Sequence, residues 1–199
     1  MERGYWVRSK PKYNTLSWSD KALAHVLIAQ DEGGLAQVKL LQRRCPAEPL
    51  LVLLSGDEST KKYADILNGL VPEGLSFFED EQKMLSELKF QLEKCLMGTQ
   101  FYVSGNEGFI WKVMTELAKY GVQDCNVEKE LCGTLARSVY CVHCKTIDKD
   151  IHSNVYQCSS CGRNLFVRDH FSRHLGAYMG VMVDAELPGD IPVSEEIYP

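Results

Sequence analysis

Four of the eight cysteines fall into two matched pairs, Cys141-Val-His-Cys144 and Cys158-Ser-Ser-Cys161. Two residues between thiols let one turn of backbone aim both sulfurs at a single ion, and two such knuckles complete a tetrahedron. Thirteen residues lie between the pairs, near the spacing of C-x2-C … C-x2-C zinc sites. Cys141, Cys144, Cys158 and Cys161 are therefore the expected ligands of one metal ion. Unligated thiols would have no reason to pair in this way. Tetrahedral sulfur sites take zinc, which serves folding, or iron, which passes one electron as in a rubredoxin; zinc is the expectation and iron the alternative. His143 sits inside the first knuckle and, with four thiolates available, is expected beside the ligands or facing solvent. Gly162 suits a turn that points backbone amides at sulfur. Cys45, Cys95, Cys125 and Cys132 are scattered and read as ordinary buried thiols.

The elements that must position this chemistry follow from periodicity. Residues 25–29 and 50–54 are continuous apolar runs that read as buried strands, and residues 75–78 and 100–104 add two more. Between and after them, residues 35–44, 59–70, 81–97 and 110–120 carry apolar side chains at helical spacing, with stops at Pro46, Gly98 and Gly121. Four strands alternating with amphipathic helices predict a doubly wound α/β domain with a parallel sheet covered on both faces. The alternation stops near residues 128–140, where the cysteine module begins. Residues 155–156 and 165–167 look like ribbon strands, and Phe171, Leu175, Tyr178, Met179 and Met182 could share one face of a helix after Asp169. The expected organisation is a basic N-terminal lead over residues 1–21, the α/β domain over 22–136, a four-cysteine metal ribbon with a C-terminal helix over 137–183, and an acidic extended tail over 184–199. The lead carries Arg3, Arg8, Lys10 and Lys12 among Tyr5, Trp6 and Tyr13. The tail holds three prolines and five carboxylates.

With 199 residues, 45% of them apolar, the chain can bury a core without disulfides. No stretch approaches the roughly 18 to 20 apolar residues of a membrane span, and the start lacks the apolar centre of a signal peptide, so a cytoplasmic protein without a membrane partner is expected. A formal charge of −5 argues against nucleic acid as a partner. A rival reading, a zinc-ribbon nucleic-acid or regulatory binder, would use Arg163, Arg168, His170, Arg173 and His174 as a basic stripe.

Open α/β sheets bind ligands beyond the carboxyl ends of their strands, which places a nucleotide near residues 29–34, 55–59 and 104–109. The run Phe101-Tyr-Val-Ser-Gly-Asn-Glu-Gly-Phe109, a helix, then Gly121 and Glu130, resembles the pyridine-nucleotide lobe of the ferredoxin reductase and phthalate dioxygenase reductase families over most of residues 22–133. The resemblance implies that Gly105, Glu107, Gly108 and Phe109 lie near a nicotinamide. The first turn departs from those families: Gln30-Asp-Glu-Gly-Gly34 sets two carboxylates where bare amides would meet a pyrophosphate. No flavin-binding barrel fits into residues 1–21, and no plant-type iron–sulfur pattern follows.

The reductase-like lobe, followed by Arg137-Ser-Val-Tyr-Cys-Val-His-Cys144 and Val167-Arg-Asp-His-Phe-Ser-Arg-His-Leu-Gly-Ala-Tyr-Met-Gly-Val181, resembles the DmmA-type small-subunit family of bacterial dimethylamine monooxygenases. That resemblance implies a multi-component enzyme that oxidatively demethylates secondary amines with a reduced nicotinamide and oxygen. It implies a haem subunit and a flavin/iron–sulfur reductase subunit as partners, with this chain mainly a scaffold between them. An NADPH-binding lobe or an iron relay in the ribbon are the alternative roles within the same complex. Ser104 and Asn106 have no base beside them in sequence, so no nucleophilic catalysis is expected.

Overall fold

A computed structural model describes residues 9–199, which fall into two compact units. One is Tyr13–Gly133. Its elements run β1 (Ala24–Gln30), α1 (Gly33–Arg43), β2 (Leu50–Ser55), α2 (Lys61–Leu70), β3 (Leu75–Phe78), α3 (Glu81–Leu92), β4 (Thr99–Gly105), α4 (Glu107–Lys119) and β5 (Val127–Leu131). The sheet order is β3-β2-β1-β4-β5 and every pairing is parallel. This is the doubly wound α/β architecture that the alternation of apolar runs and helices predicts. The apolar runs are continuous because a parallel strand under helices is buried on both faces: Leu27, Ile28, Val52, Leu53, Leu54, Tyr102 and Val103 have no exposed surface. Leu27, Ala29, Leu54 and Tyr102 join α1 residues Ala36, Leu40 and Leu41 in one core layer.

Several boundaries differ from the periodicity. Asn106 accepts a hydrogen bond from Phe109 N–H at 2.8 Å and starts α4 at Glu107, three residues before the expected 110. Helix α3 stops at Leu92, which leaves Leu96 and Met97 81% and 95% exposed. A fifth strand, β5, extends the sheet where the alternation was expected to end; its sequence Val-Glu-Lys-Glu-Leu hides an edge strand behind charges. The α/β unit also starts earlier than residue 22. Leu16 is 1% exposed in the α1 layer, its N–H donates to Glu130 Oε2 at 2.7 Å, and Trp18 Nε1 donates to Leu40 carbonyl at 3.2 Å. Leu16 and Trp18, which fall in the expected basic lead, thus pack against the α/β unit. Arg3, Tyr5, Trp6 and Arg8 lie outside the described residues.

The other unit combines the described part of Met1–Lys12 with Thr134–Pro199. Its strands are β6 (Arg137–Cys141), β7 (Ile147–Ile151), β8 (Val155–Gln157), β9 (Asn164–Ser172) and β10 (Ala177–Met182), ordered β7-β6-β10-β9-β8. Only β6 and β10 pair in parallel. The expected C-terminal helix is therefore corrected to a hairpin. Residues 165–168 alternate buried and exposed, the period of a strand, and Gly176 at φ +61° turns the chain back. Residues 183–189 are turns and bends, and the rest of the tail, without helix or strand, is tied to the unit. Tyr198 is 8% exposed, Ser153 bridges Glu196, and Ser194 Oγ donates to Val155 carbonyl at 2.6 Å. No helix among the described residues is long and apolar enough to cross a membrane.

Candidate functional site

The two cysteine knuckles have the same backbone geometry although their sequences differ. In the first, which links β6 to β7, Cys141 N–H donates to Thr146 carbonyl at 2.8 Å and Lys145 N–H to Cys141 carbonyl at 2.9 Å. In the second, which links β8 to β9, Cys158 N–H donates to Arg163 carbonyl at 2.9 Å and Gly162 N–H to Cys158 carbonyl at 3.0 Å. The fifth residue of each knuckle is left-handed, Lys145 and Gly162 both at φ +69°. Glycine takes that conformation without strain, and Lys145 adopts it at a cost that the knuckle must offset.

All four sulfurs lie within 4.8 Å of one another, with Cys141 and Cys161 at 3.8 Å and Cys144 and Cys158 at 3.6 Å. Metal–sulfur bonds of about 2.3 Å in a tetrahedron put sulfurs about 3.8 Å apart, so the donor set fits one tetrahedral ion. Cys141 and Cys158 are buried, and Cys144 and Cys161 are half-buried. The surroundings favour thiolate at the rim. The Thr146 hydroxyl, at 3.4 Å from Cys144 Sγ, and the Thr146 amide pull the Cys144 thiol down to about 5. The Arg163 amide lowers Cys161 likewise. Burial pushes Cys158 up to about 12. Behind the second knuckle, burial works against the charged form of Asp148, but the Ser159 hydroxyl and amide and the Tyr156 hydroxyl hold it below the usual carboxylate range. His143 is exposed and shares a hydrogen bond with Arg163 at 3.0 Å rather than facing the sulfurs. Cys45 and Cys125 are exposed, unlike the buried thiols expected; Cys95 and Cys132 are half-buried.

At the carboxyl ends of the parallel strands the chemistry is acidic. Asp31 follows β1 at φ +47°, Asp57 follows β2, and Glu79, Asp80 and Glu81 follow β3. Burial and then the nearby Asp57 push the Asp31 carboxyl up. The amides that would cradle a phosphate at the start of α1 are engaged in the turn: Gly34 N–H meets Asp31 carbonyl at 3.0 Å and Leu35 N–H meets Glu32 carbonyl at 3.1 Å. Gly33 presses on β4, where a Cβ would stand 2.2 Å from Ser104 carbonyl oxygen. Lys61 is spent on Glu58 at 2.6 Å and Glu79 at 3.3 Å, and Lys112 on Glu81.

Gly105, Glu107, Gly108 and Phe109 come together at the β4–α4 turn. Glu107 is 6% exposed and accepts from Tyr13 hydroxyl at 2.7 Å, and Trp111 Nε1 donates to that same hydroxyl at 2.8 Å. Phe109 is 2% exposed and packs under Gly105, where a Cβ would stand 2.8 Å from its ring. Both side chains are thus turned into the protein.

Residues 5–127 match the family profile "Dimethylamine monooxygenase subunit DmmA-like, N-terminal domain", and residues 138–181 match the C-terminal domain of the same description. The chain belongs to the dimethylamine monooxygenase subunit DmmA-like family. A curated relative, the heme-dependent oxidative N-demethylase delta subunit of Ectopseudomonas mendocina (strain ymp), is 33% identical over 101 residues. That match spans 51% of this chain and 58% of the relative, less than two thirds of its length. Among solved structures, a phthalate dioxygenase reductase is similar at 13% identity over 67% of this chain and 46% of that one, with a TM-score of 0.45. An intact type IV self-sufficient cytochrome P450 monooxygenase is similar at 13% identity over 80% of this chain and 21% of that one, with a TM-score of 0.46.

Within this family member, sequence reasoning missed Tyr13, Trp111, Thr146 and Asp148 as residues that shape the two sites. Thr146 and Asp148 alone carried a usable signal: they follow the first knuckle by two and four residues, within reach of its sulfurs and of the facing knuckle.

Proposed function

We propose that this chain is a subunit of a multi-component monooxygenase that removes a methyl group oxidatively from dimethylamine, using NAD(P)H and oxygen. In that complex it acts mainly as a scaffold between a haem subunit and a flavin/iron–sulfur reductase subunit. Membership of the DmmA-like family over both halves of the chain supports the complex. The observation that carries the scaffold role is the acidic strand-end crest, with its amides engaged in the turn after β1. A pyrophosphate there would face Asp31, Asp57 and the acids after β3 instead of free amides, a repulsion that a low-dielectric crevice strengthens.

In the ribbon, Cys141, Cys144, Cys158 and Cys161 hold one zinc ion. Zinc supplies no redox step; it ties two knuckles together in a sheet whose strands are as short as three residues. Thr146 and the knuckle amides favour the thiolates, and Asp148 clamps the second knuckle through Ser159 and Tyr156.

Metal analysis with a visible spectrum, followed by reconstitution with the haem and reductase subunits, tests the reading. The expected result is one zinc per colourless chain, no NADPH binding by the chain alone, and loss of amine-dependent NADPH oxidation when this chain is omitted. One iron with thiolate charge-transfer bands that bleach in the presence of the reductase and NADPH would make the ribbon an electron relay instead. Full turnover without the chain would overturn its place in the complex.

A further inference from the structure

Arg137 begins the strand that Cys141 ends. It is 4% exposed, and a buried guanidinium is costly unless matched. Its Cζ lies 4.0 Å from the centroid of the Tyr178 ring and 3.8 Å from that of Tyr198. Nη1 donates to the Tyr198 hydroxyl at 2.9 Å and Nη2 pairs with Asp169 at 2.7 Å. That carboxylate is 70% exposed, so solvent screens the charge it offers.

Arg137, Tyr198 and Asp169 form one wall of a cavity of about 490 Å³, and Lys10 and Arg168 add two exposed cations to its lining. Neither has an ion-pair partner among the described residues. Lys10 is held there by its neighbour: Ser9 Oγ donates to Asp169 carbonyl at 3.3 Å and accepts from Phe171 N–H at 3.0 Å. Asn154 also lines the cavity; its Oδ1 accepts from Glu195 N–H at 2.9 Å, and its NH2 group offers donors. Phe166 and Ile197, which are 40% and 48% exposed, add apolar surface to the lining.

Three cations against one carboxylate among the described lining residues, in a chain of formal charge −5, make this a locally positive cavity whose lining also offers apolar surface. Arg137 is matched by Asp169, but Lys10 and Arg168 have no ion-pair partner among the described residues, and an anion between them would relieve their repulsion. A bare inorganic anion would fill little of the volume and leave Phe166 and Ile197 wet. We propose that the cavity binds a small organic carboxylate that carries an apolar or aromatic group. The carboxylate lies between Lys10 and Arg168, and the apolar part lies on Phe166 and Ile197. This inference rests neither on the metal nor on the reading of the complex.

The test titrates the full chain, at constant ionic strength, with phenylacetate, with neutral phenylacetamide and with inorganic phosphate, and follows the Asn154 side-chain amide and Phe166 ring resonances. Phenylacetate is expected to shift both saturably, with a dissociation constant on the order of 1 mM. The amide and phosphate should bind at least about tenfold more weakly, and a Lys10→Glu/Arg168→Glu chain should lose roughly tenfold or more of the phenylacetate affinity. Both positions are exposed, and Arg168→Gln offers a milder change whose spectrum reports an intact fold. A linear, unsaturable phenylacetate response, equal binding of the three probes, or unchanged affinity in the folded variants would overturn the proposal.

Discussion

At the residue scale, the four cysteines act as one group. Replacing Cys158, buried at the centre of the second knuckle, leaves three thiols that cannot close a tetrahedron. Cys158→Ser is expected to drop bound metal from one equivalent to well below half and to cost the ribbon unit several kcal/mol, because metal binding in such modules is folding energy; metal content and near-ultraviolet circular dichroism check this. His25 offers a second residue-level handle. It is 1% exposed, with Nδ1 3.0 Å from the Tyr102 hydroxyl and the Trp18 ring edge-on at 4.8 Å. Burial pushes its pKa down, more than Glu48 at 3.8 Å restores it. The unfolded chain therefore takes up a proton before the folded one does. Stability is fully present above about pH 6.5 and falls as the pH drops through the lower folded value, with a slope of at most about 1.4 kcal/mol per pH unit for one proton. Urea unfolding across that window should show the slope in the parent chain and its absence in His25→Gln. The convergence of the four cysteine sulfurs was legible in the sequence because two-residue spacing is local and fixes geometry without the rest of the fold. The burial of Glu107 was not, since it depends on Tyr13, ninety-four positions away.

At the element scale, helix α1 can approach β4 only because residue 33 has no side chain. A Cβ there would stand 2.2 Å from Ser104 carbonyl oxygen, and Ser104 Oγ donates to Gly33 carbonyl at 2.9 Å. Gly33→Ala must push α1 away from the sheet, and a loss of about 2–4 kcal/mol is expected by chemical denaturation. Such approaches show how much of the fold the sequence carries. The buried strands β1 to β4 were legible because continuous apolar runs have few other uses, and β3 was placed residue for residue. β5 was not, because an edge strand with three consecutive charged residues, Glu128-Lys-Glu130, has the composition of a loop. The hairpin of β9 and β10 was mistaken for a helix because Phe171, Leu175, Tyr178 and Met182 satisfy a helical spacing by coincidence. The contrary signals were the alternation at residues 165–168 and the glycine at 176, and a short window cannot weigh two periods against each other.

At the scale of the whole molecule, the two units draw their stability from different sources. The α/β unit packs α1 and α2 on an apolar sheet layer, whereas the ribbon unit packs Cys141, Cys158 and Leu165 together, buries Val139, Val167, Phe171 and Tyr178 as well, and ties its tail down through Arg137 and Tyr198. The zinc ion proposed for the four sulfurs would cross-link the two knuckles of this sheet and so contribute to its folding. Removing it with a strong chelator under reducing conditions should therefore unfold the ribbon first, seen as loss of exchange protection across residues 137–182, while the strands of the α/β unit keep theirs. Thermal unfolding should change from one transition to two, with the lower one restored to its original position by one equivalent of zinc. Equal loss of protection in both units would mean that they unfold together and that the metal stabilises the chain as a whole. Unchanged protection in both would mean that Arg137, Tyr198 and the strand pairing suffice, and that the sulfur cluster serves something other than folding.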